Sequence, residues 1–228
     1  MVVSCTLTLV AQTKPKLTLD EFFNSVSFKS IEMSPDGMSV VICTERADWD
    51  QQIFRSDLWL YHDDGKGGSL IQLTQSGHDS EQKWSPDGKW IAFLSERKNA
   101  VGKGEDSDSD SDSKEEASQI YLISPHGGEA FPLTQGEEEV HTFSWSSDSQ
   151  TIYYATRQPW TKTQKDDYKQ QWKDVVQYRT AERGDTIFAL DLPAALAQHA
   201  NEPAKVEKKE GEPEKNPDLT PGARTLAT

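Results

Sequence analysis

Histidine is a residue type that often carries chemistry, and this chain has five. Their positions argue against a shared site. Most lie in or beside predicted turns, without the spacing of zinc ligands. His126 directly precedes Gly127-Gly128 and is interpreted as a solvated turn residue. His141 lies in a predicted first strand and could line a central channel, but we favour a structural histidine with satisfied hydrogen bonds. The histidines are His62, His78, His126, His141 and His199.

A serine nucleophile finds no support in the sequence. The nucleophile elbow Gly-x-Ser-x-Gly does not occur, and the nearest stretch, Gly67-Gly68-Ser69, is predicted to be a hairpin turn. No glycine-rich phosphate-binding loop follows a predicted strand. We therefore expect no catalytic residue, no metal ligand and no cofactor in this chain, and the sequence does not identify substrate-binding residues.

Two charged patterns could be functional but have simpler interpretations. Asp and Ser alternate over residues 106–113, yet the glycine and the spaced bidentate carboxylate of a calcium loop are absent. This composition favours a disordered, solvated loop. Glu45-Arg46 and Glu96-Arg97 recur at the same position of a repeat. They indicate a structural salt bridge or a strand-end contact rather than a functional pair, because exposed ion pairs are common and weak.

The two cysteines give no disulfide framework. Cys43 lies inside an apolar run and is predicted to be a small buried hydrophobe. Cys5 lies in the apolar residues 1–10, which could be the end of an export signal cleaved after Ala11, although the basic region of such signals is missing. This start favours a periplasmic or secreted protein, and the alternative is a frayed N-terminus on a cytoplasmic protein.

The overall charge argues against a nucleic-acid partner. The formal net charge is −14, from 38 acidic and 24 basic residues, whereas nucleic-acid binding needs a basic patch. No run of about 18 apolar residues occurs, so no membrane span is expected. The acidic and polar residues are concentrated in segments, and the remaining sequence is apolar enough to form a core.

A turn that recurs three times defines the elements that must position these residues. Ser34-Pro35-Asp36-Gly37 and Ser85-Pro86-Asp87-Gly88 are followed by a degenerate copy, Ser146-Ser147-Asp148-Ser149. Proline presets φ, aspartate bonds the local backbone, and glycine accepts a positive φ. The spacings of 51 and 61 residues are typical of stacked β units.

Each copy of the repeat supplies four predicted strands. One precedes the turn, a run of successive apolar residues follows it, and two more strands come later. Uninterrupted apolar runs predict strands that are covered on both faces, and four antiparallel strands are the unit of a β-propeller blade. The predicted strands are 31–33, 40–46, 58–61 and 70–74, then 80–84, 91–97, 120–123 and 130–134, then 140–145, 152–156, 187–190 and 223–226.

Long loops distinguish the three copies. The second carries an acidic insertion at residues 98–118, predicted to be disordered, and the third carries insertions at 158–185 and 193–221. Tyr168, Trp172, Val175 and Arg179 recur at helical spacing in the insertion at 158–185. We therefore predict one short amphipathic helix there, packed over a blade edge. The insertion at 193–221 is predicted to be disordered, although residues 194–199 could add a helical turn.

These elements predict an all-β fold, a partial β-propeller of about three four-stranded antiparallel blades. Residues 1–16 are predicted to be a truncated signal or a disordered N-terminus. Residues 17–77 form the opening segment and blade one, 78–137 blade two, and 138–228 blade three. Because closed propellers have about four to eight blades, we expect the chain to be the N-terminal portion of something longer.

Several segments resemble one family of peptidases. Residues 84–93 are similar to the blade repeat of TolB-like propellers and of the N-terminal propeller in the prolyl oligopeptidase family, especially its acylaminoacyl-peptidase and dipeptidyl-peptidase branches. Residues 55–60 resemble the third strand of those peptidases, 172–185 their blade-three insertion, and 17–23 their opening segment. The opening segment and the insertion together favour the peptidases over TolB.

The resemblance implies a role within a larger enzyme. In that family the propeller caps an α/β-hydrolase domain with a Ser-Asp-His triad and filters substrates, so that only short or unfolded peptides reach the serine. None of the triad motifs matches this chain, so the resemblance implies a non-catalytic, substrate-gating portion of a serine peptidase that is inactive alone. The implied partners are the remaining blades, the hydrolase domain and, through it, a peptide. The alternatives are a TolB-like protein-binding module and a sialidase-type propeller.

Overall fold

The computed structural model describes residues 16–97, 117–158, 160–172, 184–201, 220 and 222–227. These residues form three four-stranded antiparallel sheets, in the orders β1-β2-β3-β4, β5-β6-β7-β8 and β9-β10-β11-β12. Each sheet is one blade, numbered along the chain, so the predicted all-β architecture is confirmed. The elements are α1 (Leu19–Phe23), β1 (Ser27–Met33), β2 (Ser39–Asp48), β3 (Ile53–His62), β4 (Ser69–Gln72), β5 (Asp79–Trp84), β6 (Ile91–Ser95), β7 (Gln119–Ile123), β8 (Phe131–Pro132), β9 (Val140–Trp145), β10 (Thr151–Arg157), α2 (Lys162–Trp172), β11 (Asp185–Asp191), α3 (Leu192–Asn201) and β12 (Ala223–Ala227).

The recurring turn closes the first hairpin of each blade in the same way. In blade two, Ser85 Oγ donates to the Asp87 carboxylate at 2.7 Å, and Gly88 has φ +72°. In blade three, Ser146 Oγ donates to the Asp148 carboxylate at 2.6 Å, and Ser149 has φ +60°. The degenerate copy therefore keeps the turn, with a serine in the left-handed region that glycine occupies more readily.

The fourth strands of blades one and two end earlier than predicted. β4 and β8 stop before the Leu-Thr pairs Leu73-Thr74 and Leu133-Thr134. In their place, Thr74 Oγ1 accepts from Leu58 N at 2.9 Å, and Thr134 Oγ1 accepts from Ile120 N at 2.8 Å. A side-chain hydroxyl thus replaces a backbone carbonyl as the acceptor, and the chain leaves the sheet at this point.

Burial on both faces holds only for blade two. β6 and β7 are buried at every position, whereas buried and partly exposed residues alternate along β2 and β10. The prediction of double burial is therefore wrong for blades one and three. Within the described residues, blade two is the sheet that has another sheet packed on each side.

Two apolar seams hold the three blades together, as expected where sheets pack face to face. The seam between blades one and two consists of Val41, Cys43, Leu58, Leu60, Ile91, Phe93, Tyr121 and Ile123. The seam between blades two and three is built mainly from Ala92, Leu94, Ile120, Leu122, Phe143, Ile152, Tyr154, Phe188 and Leu190.

The described residues of the blade-three insertions form two helices. The predicted helix forms as α2, where the Tyr168 ring lies 4.9 Å from the Trp160 ring, while Val175 and Arg179 lie outside the described residues. α3 is longer than the predicted turn, so the prediction of disorder is wrong for 193–201. Asp191 starts this helix by accepting from Ala194 N at 2.9 Å.

The remaining predictions on insertions and termini fall on residues 1–15, 98–116 and 202–219, outside the described part of the chain. The domain boundaries stay predictions.

Candidate functional site

We call β1, β5 and β9, the first strands of the three blades, the inner strands. In blades two and three the inner strand ends in a tryptophan that hydrogen bonds to the preceding blade. Trp84 Nε1 donates to Glu32 O at 3.3 Å, and Trp145 Nε1 donates to Lys83 O at 3.3 Å. Glu32 and Lys83 occupy the same place in their blades, two residues before the serine of the turn. Trp84 therefore lies between blades one and two, and the equivalent contact of Trp145 recurs in the second seam.

The corresponding residue of blade one is Met33, which is 65% exposed. It belongs to the face of blade one that points away from blade two, which we call the outer face. The cross-strand pairs Ile31–Ile42, Ile42–Trp59, Met33–Val40 and Val40–Tyr61 place these side chains on one side of the sheet. The outer face consists of Phe28, Ile31, Met33, Val40, Ile42, Trp59, Tyr61 and Leu70.

A cavity of about 430 Å³ opens on the outer face, lined by Phe28, Ile42, Thr44, Arg46 and Trp59 among others. Trp59 Nε1 donates to Thr44 Oγ1 at 3.1 Å. Phe28 and Ile31 are 70% and 60% exposed. The outer face is therefore apolar and aromatic, and largely open to solvent.

Blade two presents the equivalent side chains toward blade one and buries them. Its pairs Ile91–Ile123 and Phe93–Tyr121 have the register of Val40–Tyr61 and Ile42–Trp59 in blade one. All four side chains of blade two are at most 2% exposed. The outer face of blade one thus has the register and composition of a face that packs on another sheet.

The recurring Glu-Arg pairs take part in salt bridges with residues of other strands. Arg97 Nη2 lies 2.7 Å from Asp79 Oδ1, and the Asp79 side chain is fully buried. Glu45 pairs with Lys29 at 2.8 Å. The structural interpretation is therefore confirmed for Glu45 and Arg97, and among the described residues no salt bridge involves Arg46 or Glu96.

Each inner strand carries a register shift near its start, and the shifts set the positions of three titratable side chains. The shifts fall at Lys29 in β1, at Glu81-Gln82 in β5 and at His141 in β9. Glu81 has φ +49°. Because a β-bulge re-aims the side chain it carries, these residues form a set at one end of the inner strands.

His141 has partners on both ring nitrogens. Nδ1 lies 2.8 Å from Asp185 Oδ2, and Nε2 lies 3.3 Å from Glu139 Oε1. The structural interpretation of this histidine is confirmed. His126 is exposed in its turn, as predicted, and its backbone N–H donates to Ser124 Oγ at 3.2 Å.

The sequence reasoning missed one serine-histidine pair. Ser39 Oγ lies 2.9 Å from His62 Nδ1 across the β2–β3 hairpin, where the two residues are register partners. A nucleophile and base at this distance need a third group that orients the base. Within the described residues no carboxylate hydrogen bonds to His62, so the contact is a cross-strand hydrogen bond. Only the pairing register, which the sequence does not contain, brings these two residues together.

The thiol of Cys43 is unreactive. The residue has no exposed surface, and burial raises the pKa of its thiol to about 11. The Sγ atom contacts Asp79 O at 3.5 Å. A protonated, buried thiol is a poor nucleophile, so the prediction of a small buried hydrophobe is confirmed.

The described residues contain no group of three or more His, Cys, Asp or Glu side chains arranged to hold a metal ion. Among the helices of the described segments, none combines the length and apolar composition needed to cross a membrane.

Comparisons with known proteins define the class of fold. No protein-family model matches the chain. It is 27% identical over 139 residues to the uncharacterized peptidase YuxL of Bacillus subtilis (strain 168), an alignment covering 61% of this chain and 19% of that protein. The chain therefore spans about a fifth of the length of this curated relative.

Two solved structures are similar to the blades. The AtxE2 isopeptidase matches with a TM-score of 0.53 at 16% identity, over 83% of this chain and 34% of that one. The Pyrococcus horikoshii acylaminoacyl peptidase matches with a TM-score of 0.50 at 13% identity, over 76% of this chain and 24% of that one. The chain is a set of β-propeller blades, and its predicted resemblance to peptidase propellers is confirmed.

Proposed function

We propose that this chain is the non-catalytic, substrate-gating propeller portion of a prolyl-oligopeptidase-type serine peptidase that acts on short peptides. The observation that carries the proposal is the outer face of blade one, whose exposed apolar residues share the register of the buried seam residues of blade two. Such a face supports packing against a further blade, since about four to eight blades close a propeller. The identity to a peptidase, 27%, supports the class of enzyme.

Gating follows from the shape of a closed ring. The inner strands of a propeller border a central passage, so the width of a peptide decides whether it passes. In this chain the first strands of blades one and two carry Lys29 and Glu81 at their register shifts. We propose that these side chains border one mouth of the passage.

Catalysis belongs to a hydrolase domain outside this sequence. The chain has no Gly-x-Ser-x-Gly motif, and Ser39 and His62 have no described carboxylate partner that would complete a triad. We expect the purified chain to leave peptide, acyl-amino-acid and ester substrates intact. Hydrolysis that co-purifies with the chain and is blocked by a serine-directed phosphonate would show that the catalytic assignment is wrong.

Gating is tested in the whole gene product with a series of peptides of increasing length. Trp84→Phe removes the indole hydrogen bond to Glu32 O and loosens the seam between blades one and two. We expect hydrolysis of long peptides to rise relative to short ones, while kcat/KM for a small ester stays unchanged. Met38→Ala, in an exposed turn, is the matched control. An unchanged length dependence in Trp84→Phe, or a gene product without a hydrolase domain, would contradict the proposal.

A further inference from the structure

A groove between blades one and two opens on the side of the molecule that carries the recurring turns. It has a volume of about 680 Å³ and is bordered by the turns of both blades and by Pro125 and His126 of blade two. Leu60, Ile71 and Trp84 provide its apolar surface. Ile71 is 44% exposed although it adjoins a buried seam.

The equivalent groove between blades two and three is filled by helix α3. Phe131 of β8 corresponds to Ile71 of β4, because each lies two residues before a Leu-Thr pair. The His199 ring of α3 stacks on the Phe131 ring with centroids 4.1 Å apart and planes 9° apart. Ala195 and Leu196 of α3 pack against the same core as Phe131.

Helix α3 shows which ligand such a groove accepts. Leu192, Ala195, Leu196 and His199 are spaced i, i+3, i+4 and i+7, so they share one face of the helix. α3 starts the connection between β11 and β12 of blade three. The same connection in blade two is the short hairpin around Gly127, so blade two supplies no helix to the groove it borders.

Acidic side chains border the open groove. Asp36 and Asp87 belong to its lining. Asp87 pairs with Lys89 at 3.1 Å. Asp36 accepts hydrogen bonds from Ser34 Oγ and Met38 N at 2.6 and 2.9 Å, and no described cation forms a salt bridge with it. A ligand with basic residues beside its apolar stripe complements this rim.

We propose that the groove between blades one and two binds an amphipathic helix of a partner protein, with an apolar stripe at α3-like spacing and flanking basic residues. An apolar helix face in a groove is a recurring mode of peptide recognition. The α3 of a second copy is not the occupant, because it is already packed in its own groove. The inference concerns a surface other than the outer face of blade one, so it stands independently of the gating role.

The test uses fluorescein-labelled, hydrocarbon-stapled peptides that carry residues 191–201. The basic peptide has Ala194→Lys and Gln198→Lys, and the acidic peptide has glutamate at both positions. Fluorescence anisotropy with the full chain should show the basic peptide binding about ten-fold more tightly than the acidic one, with a ratio that falls as salt increases.

Two variants on the same strand locate the site. Ile71→Ser removes an apolar residue of the groove and should weaken binding of the basic peptide by about five-fold or more. Leu70→Ser is the matched control, because Leu70 lies on the opposite face of β4 and should leave affinity unchanged. Unfolding midpoints of both variants are measured to confirm that they fold.

Three outcomes would overturn the proposal: binding that does not saturate, equal affinity for the basic and acidic peptides, or equal loss in the two serine variants. A dimer of the chain that the basic peptide dissociates would also overturn it, because the occupant would then be a second copy.

Discussion

Blades one and two have the same strand order and the same turn, yet they bury different shares of their sheets. The pair Phe93–Tyr121 of blade two is at most 2% exposed, whereas the equivalent Ile42 and Trp59 of blade one are only partly buried. The difference lies in the neighbours, because blade two has a described sheet on each face. The apolar repeat therefore encodes a blade whose two faces are both suited to packing against another sheet. The strands themselves form whether one face or both faces are covered.

The largest expected effect compares the two blades at one equivalent position. Phe93→Ala should lower the free energy of unfolding by about 3–5 kcal/mol, since it leaves a cavity in a closed seam. Ile42→Ala, on the partly exposed outer face, should cost about 1 kcal/mol. Urea unfolding of both variants measures the difference, and equal costs would contradict the assignment of the outer face.

A second comparison concerns one buried and one exposed salt bridge. Arg97→Ala leaves the fully buried Asp79 carboxylate without its cation and should cost about 3 kcal/mol of stability. Lys29→Ala removes the partner of Glu45 in a pair whose lysine side chain is 50% exposed and should cost below about 1 kcal/mol. Unfolding free energies for the two variants provide the check. If Arg97→Ala leaves the free energy of unfolding unchanged, the buried Asp79 carboxylate must be stabilised by another group.

Substitutions in the recurring turns should cost the same stability in blades one and two, because the backbone strain at each turn is local. Gly37 and Gly88 have φ +74° and +72°, where a β-branched residue costs about 1–2 kcal/mol. Gly37→Val and Gly88→Val should therefore lower stability equally, unlike the pair at positions 42 and 93. A Gly37→Val variant that melts with the parent chain would mean that the turn of blade one is not held in the folded state.

The smallest expected effect is a change in acid titration at the turns. The Ser34 hydroxyl and the Met38 N–H lower the pKa of Asp36, and the Ser146 hydroxyl and the Gln150 N–H lower the pKa of Asp148. Both carboxylates contribute stability above their unfolded pKa of about 3.9, and this is lost as the pH falls through the folded value. Ser34→Ala and Ser146→Ala should each raise the pKa of the aspartate in the same turn, measured by NMR titration of the carboxyl carbons. An unchanged pKa would show that the hydroxyl does not bond the carboxylate in solution.

Sequence reasoning recovers the elements whose signals are local. The Ser-Pro-Asp-Gly turns and the apolar runs after them predict the hairpins of all three blades. Features that depend on pairing register are missed, such as the contact between Ser39 and His62. The ends of β4 and β8 are also missed, because the threonine hydroxyl that replaces a carbonyl accepts from a residue of the neighbouring strand, whose pairing register is not in the sequence.

Burial is the other quantity that local patterns do not determine. Phe93 and Ile42 both lie in successive apolar runs, and only the presence of a neighbouring sheet separates them. The length of α3 is underestimated for a similar reason, because Ala195 and Leu196 pack against the core shared by blades two and three and His199 stacks on Phe131 of blade two.

Thiol labelling can show whether the outer face of blade one packs against a further blade in the whole gene product. Ile31→Cys places a thiol on that face, and Met38→Cys, in the exposed turn, is the control; other accessible cysteines are replaced by serine. We expect Ile31→Cys to react readily in this chain alone and to be protected in the whole gene product, while Met38→Cys reacts in both. Equal reactivity of Ile31→Cys in the two proteins would show that no further blade covers this face.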